Sequence, residues 1–158
     1  MEEPGTPELE PDELANLTEI DVQLLDYKTA GNNLFGKKQL QEAVDKYGEG
    51  ITYYFSVGSP THYEGIKTKI TQIYTNRALA FHMLNQQENA LECANYVLEN
   101  LDPNNFKALM RRAISNRSFL KFDLAKKDLK QLRELMHPND EARREVKKLF
   151  NSCDRAIT

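Results

Sequence analysis

A chain of 158 residues, 40% hydrophobic and 28% charged, is sized for one soluble domain with a buried core. That composition excludes wholesale disorder, and no apolar run approaches the ~18 residues a membrane span needs. The formal net charge of −3 hides an asymmetry: residues 1–26 hold nine of the 24 acids and no Lys or Arg, leaving 15 acids against 21 bases, a +6 body suited to an acidic partner.

In chain order, "MEEPGTPELEPDEL" reads as a solvated acidic tail over residues 1–17, of a sign that also suits it to lie weakly on the basic body in cis. Thr18 is then placed to cap a helix whose first turn carries Glu19 and Asp21 and whose apolar face is Ile20, Leu24, Tyr27, Leu34 and Phe35. A second helix is expected over about 40–55, with Ala43, Tyr47 and Ile51 inward. Turn residues follow in "SVGSPTHYEG". Then come "IKTKITQIYTNRALAFHML" and "NQQENALECANYVLENL", the break "DPNN", the pair "FKALMRRAISNRSFL" and "DLAKKDLKQLREL", the break "HPND", and a closing helix "EARREVKKLFNSCDRAI". Every predicted element is a helix, so the fold class is all-α.

The pairs repeat. Gly31, Ala78 and Ala113 are each followed twelve residues later by an alanine, Ala43, Ala90 and Ala125, and preceded four residues earlier by Tyr27, Tyr74 and Leu109. A small residue lets one helix approach its partner closely, and the large one fills the space above it. The offsets are 47 and 35, against a period of about 34 for one helix-pair repeat class. The surplus of 13 in the first interval falls around "SVGSPTHYEGIKT", which predicts a lengthened second helix in unit one and a lengthened first helix in unit two.

On "YKTAGNNLF", "YTNRALAF" and "LDPNNFKALMRRA" the chain resembles the tetratricopeptide repeat (TPR) family over about residues 20–157. It departs from the family pattern at Gly50, Phe55 and Asn116. The resemblance implies three helix-turn-helix repeats and a capping helix in a right-handed superhelix with a concave peptide groove. The domain is expected over 18–157, with repeats at about 24–57, 71–103 and 106–138 and the cap at about 139–156. In the cap, Val146, Leu149 and Phe150 would cover the third pair while Arg143, Arg144, Lys147 and Lys148 face water.

In such a superhelix the first helix of each unit lines the groove. Lys28 and Asn32 in unit one, Asn76 in unit two, and Lys107 and Arg111 in unit three would converge there, each pair four apart on one helical face. Donors without acceptors imply that the acceptor comes from outside. The set is similar, position by position, to the dicarboxylate clamp of chaperone-binding TPR domains. By that likeness Lys28, Asn32 and Asn76 would hold the terminal backbone carboxylate of a peptide, Lys107 the side-chain carboxylate of its last Asp, and Arg111 the acidic residues just upstream. The implied ligand is the Glu-Glu-Val-Asp C-terminus of the ninety- and seventy-kilodalton heat-shock chaperones, and the implied role that of a co-chaperone or adaptor module. Lys28 and Arg111 are read as solvent-facing, and Lys69, Arg77, Arg112 and Arg117 as further sources of positive field.

Other classes lack parts. No phosphate loop, nucleophile motif or metal-ligand spacing is present, so no enzyme, cofactor or metal site is expected. The bases do not interleave with aromatics on one stripe, which argues against nucleic acid. A TPR scaffold binding another acidic protein segment without a chaperone role is the alternative; an internal segment offers no terminal carboxylate for the clamp. Cys93 and Cys153 read as buried or half-buried thiols of a reducing compartment, consistent with a cytoplasmic monomer. The surplus around 57–66 is a candidate determinant of partner choice.

Overall fold

The computed structural model describes Gly5 and residues 8–157, and among these every regular element is helical. In chain order they are α1 (Pro11–Gly36), α2 (Leu40–Ser56), α3 (Glu64–Met83), α4 (Gln87–Tyr96) running into a π-helical turn (Val97–Leu101), α5 (Phe106–Ser118), α6 (Phe122–Leu135) and α7 (Ala142–Ile157). Each helix packs on the next, and the first helices of successive units also touch, α1 on α3 and α3 on α5. The result is a right-handed superhelix of three helix pairs and a terminal helix, with α1, α3 and α5 lining its concave side.

The alignment of small residues becomes the packing register. Ala43, Ala78, Ala90 and Ala125 are fully buried and Ala113 is 1% exposed. Gly31 is the tightest of these positions, because a Cβ there would collide with the Tyr47 ring. Gly50 has a similar cause: a Cβ would sit 2.9 Å from Tyr27 Cβ. Both glycines thus let α1 and α2 close around a tyrosine from the other helix.

The turns inside the three pairs share one design. Lys38, Asn85 and Leu120 have φ of 61°, 60° and 60°, and they are spaced by the same 47 and 35 residues as the small positions. At each, the next amide N–H reaches back to a carbonyl five residues earlier: Gln39 to Leu34 at 3.0 Å, Gln86 to Phe81 at 2.8 Å, Lys121 to Asn116 at 2.8 Å. This is the Schellman arrangement, which satisfies the last carbonyls of a helix and reverses the chain.

The N-terminal boundary differs from the expected one. Helix α1 begins at Pro11, and Thr18 lies inside it, its hydroxyl donating to Leu14 O at 2.8 Å. Proline is pre-organised for the first helical position, and Asp12 and Glu13 suit the positive helix end. The decisive contribution is tertiary. Leu17, Ile20 and Leu24 are at most 3% exposed and share a core with Ile66 and Ile70 of α3, while Asp21 pairs with Lys69 at 2.7 Å. The long α3, of 20 residues against 13 in α5, therefore supplies the wall on which the early turns of α1 rest. The tail cannot extend to residue 17. Its acids Glu2 and Glu3 lie outside the described residues, whereas Glu8 and Glu10 precede α1 and are exposed.

At the other end α7 starts at Ala142, because "HPND" forms a turn in which Asp140 N–H bonds to His137 O at 3.0 Å. Val146 is fully buried, with Leu149 and Phe150 half-buried against the core. Arg144, Lys147 and Lys148 are exposed as expected, but Arg143 folds back and donates to Met136 O at 3.2 Å. Cys93 and Cys153 are both buried free thiols, and no helix of the described residues is long and apolar enough to cross a membrane.

Candidate functional site

Helix α1 presents Lys28 and Asn32 to the concave side one turn apart, and α3 presents Gln72 and Asn76 opposite them with the same spacing. The two helices are cross-tied: Lys28 Nζ donates to Gln72 Oε1 at 2.8 Å, and Asn76 Nδ2 donates to Asn32 Oδ1 at 2.9 Å. The same Asn32 oxygen accepts the Tyr47 hydroxyl at 2.6 Å. With its carbonyl doubly engaged, the Asn32 amide is left with its N–H groups to offer. Tyr47 cannot easily lose its proton, because burial pushes its pKa up to about 12, partly offset by the Asn76 amide.

Helix α5 contributes Lys107 and Arg111. Lys107 is exposed and Arg111 half-buried, and among the described residues neither side chain has a hydrogen-bond or ion-pair partner. Burial lowers the Arg111 pKa, against a smaller opposing influence from Glu145 on α7. Asn76, Lys107 and Arg111 line one cavity of about 280 Å³ with the apolar side chains of Leu79, Phe106 and Met110, closed by Ala142 and Glu145. Low dielectric strengthens any charge-assisted hydrogen bond that a ligand makes to a guanidinium in such a place. Lys28 and Arg111, both half-buried, are thus less solvent-facing than the spacing alone implied.

The other bases serve the fold. Arg112 grips Asp128 through Nε and Nη2, both at 2.8 Å, and reaches Asn95 at 3.3 Å. Arg77 donates to Val44 O at 3.2 Å and lies 5.0 Å from the Phe81 ring centroid. Lys69 pairs with Asp21, and Arg117 donates to Ser152 Oγ at 2.7 Å. Lys69 and Arg112 are thus neutralised by acids, whereas Arg77 and Arg117 bond only to neutral oxygens and keep their positive field.

A larger cavity of about 880 Å³ lies between α2 and α4 over Tyr74, Arg77 and Phe81. Its guanidinium is already engaged and its rim carries Glu88, Glu92 and Glu99, so it disfavours an acidic ligand. The aromatics of "ITYYF", residues 51–55, pack nearby: Tyr54 is fully buried, Tyr53 lies on Tyr27 with centroids 5.8 Å apart, and Phe55 meets Tyr96 edge-on at 5.7 Å. Gln72 and Glu145 were not singled out from the sequence, and Tyr47 was read only as an inward core residue. The i, i+4 spacing of Gln72 to Asn76 is a usable signal; the contacts of Tyr47 and Glu145 depend on tertiary packing.

A right-handed array of helix pairs with cross-tied amides and unengaged cations on its concave side defines a helical-repeat interaction domain. No protein-family model matches the chain. One curated relative, the DnaJ homolog subfamily C member 7 homolog of Dictyostelium discoideum, is 31% identical over 121 residues; the match takes in 76% of this chain but spans only 20% of that protein's length. Among solved structures, the C-terminal TPR-containing domain of an FK506-binding-protein candidate of Plasmodium falciparum superposes with a TM-score of 0.77 at 24% identity, covering 89% of this chain and 91% of that one. The first TPR of Spaghetti (RPAP3), bound to the HSP90 peptide SRMEEVD, gives 0.69 at 25% identity, with 87% and 94% covered. The TPR2B domain of yeast Sti1, in a complex with an Hsp70 peptide, gives 0.67 at 22% identity, with 85% and 98% covered. The chain has the tetratricopeptide-repeat fold.

Proposed function

We propose that this domain is a peptide-binding co-chaperone or adaptor module that captures the free C-terminal carboxylates of a Glu-Glu-Val-Asp tail, as borne by ninety- and seventy-kilodalton heat-shock chaperones. The observation that carries the reading is the contrast in the groove: among the described residues Arg111 and Lys107 have no acceptor, although every neighbouring arginine of α3 and α5 has one. A partly buried guanidinium without a partner is costly unless a ligand completes it. Lys28, Asn32 and Asn76 hold the terminal backbone carboxylate, Lys107 the Asp side chain, and Arg111 the acidic segment just upstream. The cross-ties support this assignment, since they aim the Asn32 N–H groups outward before any ligand arrives, which lowers the ordering cost of binding. Neighbouring domains bound to such peptides add support for the ligand class.

Charge-assisted hydrogen bonds are worth about 1.5–3 kcal/mol each, so losing one contact costs about tenfold in affinity or more. Titration calorimetry with Ser-Arg-Met-Glu-Glu-Val-Asp, beside the same peptide amidated at its C-terminus, tests the reading. Micromolar binding abolished by amidation is the expected result. Equal binding of both peptides, or none, overturns it in favour of a scaffold with another acidic partner.

A further inference from the structure

Glu145 is a carboxylate in a groove proposed to receive carboxylates. It lines the same cavity as Asn76, Lys107 and Arg111, and its field acts on the Arg111 guanidinium. It is exposed, and among the described residues it holds no hydrogen bond or ion pair. On α7 its flanking cations are Arg144 and Lys148, both exposed. Its presence repels an acidic ligand side chain and offers a basic one a partner.

Geometry sets which ligand residue meets it. Packed helices lie about 8–10 Å apart, so a peptide anchored at α1 and α3 crosses α5 and comes level with α7 after two such spacings, roughly 16–20 Å from α3. An extended chain advances about 3.3 Å per residue. The span from the anchored carboxylate to α7 therefore takes roughly five to six residues.

We infer that Glu145 is a specificity determinant that selects acidic C-terminal peptides carrying a cationic side chain about five residues upstream of the terminal carboxylate. The inference rests on the carboxylate-anchoring reading, because that reading sets the direction and origin of the peptide. It divides the groove into a cationic end that reads the terminus and an anionic edge that reads the approach. Two tails with the same last four residues are then distinguished by their upstream charge.

The test is a double-mutant cycle by calorimetry. The probes are Ser-Arg-Met-Glu-Glu-Val-Asp and Ser-Gln-Met-Glu-Glu-Val-Asp, each titrated into the native domain and Glu145→Gln. In the native domain the Arg peptide is expected to bind about threefold or more tightly than the Gln peptide, within the range of partly exposed ion pairs. In Glu145→Gln the two peptides should converge to within about 1.5-fold, through weaker binding of the Arg peptide and stronger binding of the Gln peptide. Glu145→Lys should invert the preference when the upstream residue is Glu, which guards against a variant that merely loosens the groove. An unchanged Arg-to-Gln ratio in Glu145→Gln overturns the inference. If that ratio is unchanged while amidation still abolishes binding, only the role of Glu145 falls; if amidation has no effect, the anchoring reading falls and takes this inference with it.

Discussion

Arg111 and Arg112 are neighbours in sequence on one helix and have opposite fates. Arg112 turns into the seam between α5 and α6, where the buried Asp128 takes both of its forks. Arg111 turns to the concave side, is partly desolvated, and meets no acceptor among the described residues. One residue's rotation around a helix, about 100°, separates a charge used to hold the fold from a charge held ready for a ligand. Counting bases along the chain therefore says little about the groove; whether a buried acid lies within reach says more.

The largest expected effect comes from the seam. Arg112→Ala leaves Asp128, 3% exposed, as a buried charge without its counter-ion, at a cost of about 3 kcal/mol or more. Thermal unfolding should show a Tm lower by roughly 6–12 °C; a Tm within a degree of the parent would mean that the ion pair is not what holds α5 on α6. The reciprocal variant, Arg111→Ala, should lose at least tenfold in peptide affinity while its Tm moves little, since no intramolecular bond is lost. Should Arg111→Ala unfold the domain instead, the two arginines would not divide the labour as described. Lys28→Ala belongs with Arg111→Ala, with a further small loss from releasing Gln72.

Tyr47→Phe probes the support behind the groove. It removes the hydroxyl that orients Asn32, so a stability loss of about 1 kcal/mol should accompany a few-fold loss of affinity. Unaltered affinity would show that the Asn76 bond alone suffices. The smallest effect concerns pH. Burial pushes the Cys93 thiol up to about 11 from its ordinary value of 9.0. An acid whose folded pKa is raised adds stability below its unfolded pKa and loses it as pH climbs through the folded one. Urea unfolding should therefore weaken between pH 9 and 11, and Cys93→Ala should flatten part of that slope. An unchanged slope would assign the alkaline loss to other groups, the tyrosines Tyr47, Tyr54 and Tyr74 foremost, whose pKa values burial raises.

Much of the architecture was legible because its signals are local and periodic. Small residues at Gly31, Ala78 and Ala113 mark the close approaches, and i, i+4 spacing alone puts Lys28 with Asn32 and Lys107 with Arg111. The start of α1 was not legible, since Leu17 is buried only because α3 is long enough to meet it. Nor could the fates of Lys69, Arg77, Arg112 and Arg117 be read, because their partners Asp21, Val44, Asp128 and Ser152 lie 16 to 48 positions away. Residues 57–66, read as a candidate determinant of partner choice, cannot be probed cleanly by deleting them. Ile66 is fully buried, so that deletion would cut into the core.

The bonds from Lys28 to Gln72 and from Asn76 to Asn32 tie successive repeats together across the floor of the groove. They bridge α1 and α3 above the core that Leu17, Ile20 and Leu24 share with Ile66 and Ile70, which is what sets the distance between the two helices. The atoms of this bridge are those proposed to grip the ligand, so a peptide carboxylate drawing on Lys28 would take it from Gln72. Filling the groove would then exchange bonds between repeats for bonds to the peptide at the same atoms, with the core beneath left as it was.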